Sequence, residues 1–237
     1  MYKQLVPLNA ERHAGKRVLD RNDFSFSSSV HMVSIMVQEF AKAAPTYPIV
    51  FMEDPATSGF LPVVLLGLEE GKNLFVDSSG KWITGYIPAL VRRYPFALVG
   101  QQNDELLTVC IDEASSNFHE GEGTALFDSE GKPTEAIEAL KRFLGDLYQM
   151  QRYTEDFCKF LSQHNLFAPM TLQVAQASYR FNVTGCYRVN EERLQSISPE
   201  LFLLMRDKRY LSAIYAHIVS LPQVDRLLEM KIKASAE

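Results

Sequence analysis

The middle third of this chain consists of short apolar segments separated by turns of a few residues. Parallel neighbours in a sheet need a connection of about a dozen residues or more, whereas antiparallel neighbours can be joined by a tight turn. The spacing therefore predicts an antiparallel sheet, built mainly from residues 47–112. The apolar segments lie at residues 47–51, 60–68, 73–76, 96–100 and 105–112.

Helical periodicity dominates the second half of the chain. After a helix start at residues 133–135, apolar side chains recur at steps of mainly three and four residues from Leu140 to Leu161, which predicts an amphipathic helix that could be broken near Thr154. Residues 170–189 alternate instead, which predicts a hairpin, and the chain after Ser198 is helical again. The predicted fold class is α+β: an antiparallel sheet with helices packed on it, and a C-terminal half that is mainly helical with a small extra hairpin.

The organisation along the chain indicates one domain over residues 1–237, with residues 1–30 as an irregular or edge-strand arm. Residues 115–132 are polar and glycine-rich, and we expect a long loop there, of the kind that is often functional or mobile. The longest apolar run, residues 61–66, is far shorter than the ~20 residues of a membrane span. The N-terminus lacks the apolar core of a secretory signal. We therefore expect a cytoplasmic protein with no membrane insertion.

Composition disfavours several classes of function. The net charge of −5 is opposite in sign to the basic surface that nucleic-acid binding requires. The three cysteines, Cys110, Cys158 and Cys186, are widely spaced among apolar neighbours, which is typical of buried thiols in a reducing compartment. The sequence contains no phosphate-binding loop and no complete dinucleotide motif, and its histidines are dispersed. We therefore predict no cofactor and no metal site.

Two groups of residues are candidates for catalysis, and each also has a simpler interpretation. Asp112 and Glu113 could form a carboxylate pair at a strand end, although caps and turns use the same residues. His119 with Glu120 and Glu122 could supply part of a metal site, although an acidic loop in solvent has the same composition. Asp112, Glu113 and His119 are the residues on which an enzymatic function would depend.

One aromatic segment with two arginines is the strongest candidate for a binding site. It contains the only tryptophan of the chain, and Trp, Tyr and Arg dominate binding hot spots because they combine a large contact area with directed polar groups. The same residues also occur in ordinary cores. The candidate binding residues are Trp82, Tyr86, Arg92, Arg93 and Tyr94.

We predict a helix over residues 86–94 of this segment. In such a helix Tyr86, Leu90 and Arg93 share one face, while Arg92 lies off it. At least one of the two arginines is therefore expected to reach solvent or a carboxylate.

Several motifs occur in a characteristic order along most of the chain, from about residue 30 to 225. In this order and spacing the sequence resembles the SapC family. The resemblance is carried by residues 47–51, 65–68, 73–76, 82–96, 110–113, 126–128, 131–134, 185–189 and 215–217.

The resemblance implies a bacterial accessory or binding protein of a system linked to the cell envelope or to nutrient uptake. It implies a setting near TonB-dependent receptors, cupin-like proteins and tryptophan-halogenase-like proteins, with another protein or a small ligand as the partner. It carries over no catalytic residue. Two alternatives stay open: an enzyme with a dispersed site, and a structural component of a surface layer.

Overall fold

A computed structural model of the chain describes residues 1–19, 23–55, 57–100, 107–176 and 179–236. Within these residues the secondary structure is mixed, and the C-terminal region is mainly helical, as predicted. The strands are β1 (Leu5–Pro7), β2 (Arg17–Val18), β3 (Met32–Ser34), β4 (Ile49–Asp54), β5 (Gly59–Leu65), β6 (Phe96–Val99), β7 (Thr108–Asp112), β8 (Phe118–His119), β9 (Thr124–Ala125), β10 (Phe167–Gln176) and β11 (Tyr179–Val189). The helices are α1 (Ala10–His13), α2 (Phe40–Ala43), α3 (Ala89–Arg92), α4 (Glu135–Gln163), α5 (Glu191–Gln195), α6 (Pro199–Asp207), α7 (Tyr210–Ser220) and α8 (Gln223–Ala236).

The central sheet is antiparallel, with strand order β10-β11-β4-β5-β3. The tight connection between β4 and β5 confirms the prediction, made from turn length, that neighbouring strands pair antiparallel. The hairpin predicted at residues 170–189 is present but is neither small nor separate, because β10 begins at Phe167 and β11 pairs with β4. Its pairing with β4 at Cys186 and Tyr187 makes it part of the central sheet.

The prediction of one main sheet from residues 47–112 is wrong, because β6 and β7 form a second sheet with β1 in the order β1-β7-β6. Strand β7 pairs with β1 on one edge and with β6 on the other, so neither of its edges is left for the central sheet. Within the N-terminal arm, β1 is an edge strand of this second sheet, whereas β2 is the middle strand of a third sheet with β8 and β9. Residues 20–22 of that arm and residues 101–106 between β6 and β7 lie outside the described residues.

Two further predictions for strands and loops need correction. Residues 73–76 form no strand, since the Asn73 side chain accepts the Phe75 N–H at 2.9 Å and takes the place of a ladder partner. The segment 115–132 is not a plain loop, because β8 and β9 within it pair with the two sides of β2.

Helix α4 is continuous over 29 residues, and the break considered near Thr154 does not occur. The Thr154 hydroxyl donates to the Met150 carbonyl one turn earlier at 2.7 Å and accepts the Val37 N–H at 3.0 Å, so this buried polar group is satisfied inside the helix. Leu144 of α4 packs in the core under the second sheet, and Phe157 packs in the core under the central sheet. One helix therefore joins both cores.

A buried histidine attaches α7 to the central sheet. His217 is fully buried, its Nδ1 lies 2.8 Å from the Ile49 carbonyl, and its Nε2 accepts the Val189 N–H at 3.1 Å. This arrangement requires the neutral tautomer with the proton on Nδ1. Burial lowers the pKa of His217 from 6.5 to about 4, although the hydrogen bond to Ile49 acts in the opposite direction.

The predicted helix over residues 86–94 is wrong in its extent, because α3 covers only Ala89–Arg92. Proline at positions 88 and 95 explains both limits: a residue that precedes proline avoids helical geometry, so neither Ile87 nor Tyr94 continues the helix. Tyr86 therefore does not share a helical face with Arg93, whereas Leu90 and Arg93 remain one turn apart.

Candidate functional site

The aromatic residue Trp82 has its polar edge turned inward. Its indole Nε1–H lies 2.9 Å from both the Tyr47 hydroxyl and the Thr84 hydroxyl, and its ring is stacked on Phe75 with a centroid separation of 6.4 Å. The residue is half-buried. Trp82 therefore supports the core with its indole N–H and leaves only part of its ring surface for contact with a partner.

Tyr86 belongs to a buried hydrogen-bond network around Glu39. The Tyr86 hydroxyl and the Ala89 N–H both donate to Glu39 Oε1, and the Met36 N–H donates to Oε2 at 3.0 Å. Burial, together with the neighbouring Glu39 carboxylate, raises the pKa of Tyr86. Glu39 thereby fixes the start of α3 and the position of Tyr86.

Tyr94 is buried and helps to hold the N-terminal arm. Its ring stacks on Phe26 at 4.0 Å between centroids, and its hydroxyl donates to Asp112 at 3.2 Å. Burial raises the pKa of Tyr94. Asp112 also accepts the N–H groups of Lys3 and Gln4, at 3.0 and 2.8 Å. Burial alone would raise the pKa of Asp112, but these hydrogen bonds outweigh it and lower the pKa.

The two arginines of the segment point to different surroundings. Arg92 is exposed, donates from Nε to the Ile87 carbonyl at 3.0 Å, and lies 5.5 Å from the centre of the Phe143 ring. Arg93 is half-buried and donates from Nε to the Tyr2 hydroxyl at 3.2 Å. In the part of the chain that the structure describes, the terminal nitrogens of Arg93 have no hydrogen-bond acceptor. The expectation that at least one arginine reaches solvent is confirmed by Arg92.

Arg93 faces a cleft of about 580 Å³ between α3, α4 and the hairpin of β4 and β5, which we call the α4 cleft. This volume lies within the range of sites for small ligands and short peptides. The floor is apolar, with Ile35 and Met36 buried beneath it, and the rim is polar. The residues that matter for its chemistry are Asp54, Phe60, Leu90, Arg93, Gln151, Glu155, Cys158 and Lys159.

The α4 wall of the cleft carries polar side chains at four-residue spacing. Gln151, Glu155 and Lys159 lie along one row of the helix, and the Gln151 amide donates to Glu155 at 2.9 Å. Cys158 beside them is buried, and burial raises the pKa of its thiol to about 12. A thiol with this pKa is protonated at neutral pH and is a poor nucleophile.

Each of the residues on which an enzymatic function would depend is held by other partners. Glu113 binds Arg12 at 2.5 Å and His13 at 3.1 Å, and these contacts outweigh burial and lower its pKa. The exposed His119 ring lies 2.6 Å from the Ser116 carbonyl. Glu120 forms an ion pair with Lys16 instead of joining His119 in a ligand set.

Sequence reasoning selected Arg93 but missed the rest of the α4 cleft. The row at positions 151, 155 and 159 was visible as a four-residue repeat of long polar side chains. The solvent face of any amphipathic helix shows the same repeat, so the pattern alone could not mark a site.

Fold and cleft together define a mixed α/β protein with antiparallel sheets and a single long helix that forms one wall of a polar-rimmed cleft. The SapC family profile matches residues 8–227 of the 237-residue chain, and the chain belongs to this family. Comparisons with curated proteins and with solved structures found no match. Among the described helices, none combines the length and apolar composition that a membrane crossing needs.

Proposed function

We propose that this SapC-family chain is a non-catalytic binding protein whose ligand site is the α4 cleft. The observation that carries the proposal is Arg93, whose half-buried side chain lines a cleft of about 580 Å³ and whose terminal N–H groups have no acceptor in the described residues. A ligand with an anionic group would supply that acceptor.

The energetic argument rests on partial desolvation. A charged group that loses water without gaining a partner is unfavourable, and a guanidinium forms its strongest hydrogen bonds with a carboxylate or phosphate in bidentate geometry. The Nε contact to Tyr2 fixes the side chain before a ligand arrives, which reduces the entropy lost on binding.

The other candidate binding residues have a supporting part in this proposal. Glu39 and Tyr86 hold the start of α3, and Tyr94 holds the arm that carries Tyr2. We propose that Arg93 contacts the ligand directly, while Trp82, Tyr86 and Tyr94 position the segment and Arg92 lies outside the cleft.

The family resemblance supplies the proposed setting. We place the protein in the cytoplasm of a bacterium, as an accessory to an envelope-linked or uptake-linked system with TonB-dependent receptors, cupin-like proteins and tryptophan-halogenase-like proteins. Cell fractionation tests this setting, and abundant protein in the outer surface fraction would contradict it.

The binding proposal is tested by incubating the purified protein with a bacterial cell extract and identifying the retained compounds by mass spectrometry. Arg93→Ala is compared with Arg92→Ala, a matched control because Arg92 is the neighbouring arginine outside the cleft. We expect the wild type and Arg92→Ala to retain the same anionic compounds and Arg93→Ala to lose them. Equal retention by all three proteins, no retention by any, or turnover of a retained compound would each refute the proposal.

A further inference from the structure

The edge of β5 that faces the α4 cleft is open over residues 59–61. Strand β5 pairs with β4 from Gly59 to Val64, but with β3 only from Val63 to Leu65. Residues of β5 before Val63 therefore have a strand partner on one side only. Residues 59–62 also line the cleft.

Hydrogen bonds already formed by this strand fix the direction of its free groups. The Leu65 N–H donates to the Pro48 carbonyl on the β4 side, and the Leu66 N–H donates to the His31 carbonyl on the β3 side. Because backbone groups of successive strand residues point to opposite sides, the even-numbered residues point away from β4. The N–H and C=O of Phe60 therefore point toward the open side.

The open edge ends at Pro62. Its carbonyl accepts the Ile35 N–H at 3.0 Å, and proline has no N–H of its own to offer. Phe60 thus presents one donor and one acceptor, which is the pair that a single residue of an added antiparallel strand would use.

The cleft is lined by β5 residues 59–62, which lie beyond the last pairing of β3 with β5 at Ser34 and Val63. The chain leaves the line of β3 after Ser34 and enters a short 3-10 turn at Val37, whose N–H is bound by Thr154 of α4. Helix α4 forms the opposite wall from residue 151 to residue 163. This stretch is about 18 Å long at 1.5 Å per residue, which is room for about five extended residues at ~3.3 Å each.

We propose that the α4 cleft takes an extended peptide segment that adds to the β5 edge at Phe60 and places one carboxylate on Arg93. This inference rests on the proposed binding function and names its ligand class. Backbone pairing supplies general affinity in such strand addition, and side-chain pockets supply selectivity. Glu155 on the α4 wall disfavours a polyacidic run, so the segment carries one acidic group near Arg93 and a neutral or basic residue near Glu155.

The test begins with selection of random heptapeptides, displayed with free and with amidated C-termini, on the purified wild-type protein. Enriched peptides are synthesised with a fluorophore, and their dissociation constants are measured for the wild type, Arg92→Ala, Arg93→Ala and Arg93→Lys. We expect Arg93→Ala to weaken binding about tenfold or more, Arg93→Lys to weaken it less, and Arg92→Ala to leave it unchanged. The two C-terminal forms distinguish an acidic side chain from a terminal carboxylate.

Strand addition itself is tested on the peptide and on the amide of Phe60. Methylation of one backbone nitrogen of the peptide is expected to weaken binding about tenfold, and the bound peptide is expected to slow hydrogen exchange at the Phe60 amide. Tyr2→Phe removes the hydroxyl that holds Arg93 but keeps the arginine itself. If Arg93→Ala is unstable, weaker peptide binding by a folded Tyr2→Phe protein shows that the position of Arg93 determines the affinity. Peptide binding without sensitivity to methylation or without protection of Phe60 refutes the strand addition. Arg93-dependent retention of small anions with no enriched peptide refutes the peptide ligand and leaves the binding function standing.

Discussion

His217 makes the stability of this protein depend on pH in a range where few other side chains titrate. Its ring bridges the Ile49 carbonyl and the Val189 N–H only in the neutral form, and burial lowers its pKa from 6.5 to about 4. The unfolded chain therefore binds a proton at a higher pH than the folded chain does. The free energy of unfolding is maximal above pH 6.5 for this group and falls as the pH decreases toward 4.

The size of this effect follows from the shift in pKa. A difference of about 2.5 pKa units at 1.36 kcal/mol per unit gives about 3 kcal/mol, lost between pH 6.5 and 4. This amount is a large fraction of the 5–15 kcal/mol that typical domains have in total. Carboxylates with lowered pKa values, such as Asp112 and Glu113, act in the same direction at lower pH, so the wild type must be compared with a variant.

The assay is urea unfolding followed by the fluorescence of Trp82 at several pH values from 7 to 4.5, for the wild type and for His217→Gln. The amide of glutamine can donate to the Ile49 carbonyl and accept the Val189 N–H, but it does not titrate. We expect the free energy of unfolding to fall less steeply with decreasing pH in the variant. Parallel profiles for the two proteins would show that His217 is not the group responsible, and the reasoning would be refuted.

Two further predictions concern stability and use the same unfolding assay. Glu39→Gln places an amide N–H₂ against one of three donors, so we expect the free energy of unfolding to fall by about 1–3 kcal/mol. Tyr86→Phe should cost less, because it removes one donor and leaves the carboxylate bound to the other two. A variant as stable as the wild type would show that the network is dispensable. Gly145→Ala in the middle of α4 adds a methyl group that meets no atom within 4 Å, so we expect a gain of about 0.5–1 kcal/mol, and a loss would contradict this account.

Local patterns predicted those parts of the fold that depend on neighbouring residues. The tight connection at Asp54–Gly59 predicts antiparallel pairing, and the start at Ser198 and Pro199 predicts α6, whose Leu201 N–H is bound by the Ser198 hydroxyl. The prediction of a helix over residues 86–94 was wrong in extent because prolines at positions 88 and 95 set its limits, and this local restriction overrides the apolar spacing.

Partition of the strands into separate sheets depends on contacts between distant residues. The pairing of β1 with β7 is supported by N–H groups of Lys3 and Gln4 that bind Asp112, more than 100 residues away. No local pattern in the arm contains this information. The α4 cleft is of the same kind, because Phe60, Arg93 and Glu155 come together only when the sheet, α3 and α4 have packed.

The uninterrupted course of α4 fixes the angular phase between the two cores that it joins. Each residue of an α-helix advances by about 100° around the axis, so one residue inserted between Leu147 and Thr154 would turn Phe157 away from the central sheet while Leu144 stayed in place. An insertion of seven residues would nearly restore the angle but would separate the cores by about 10 Å. Insertions and deletions that a surface loop accepts are therefore excluded from the middle of this helix. The relative orientation of the two cores is set by the residue count of α4.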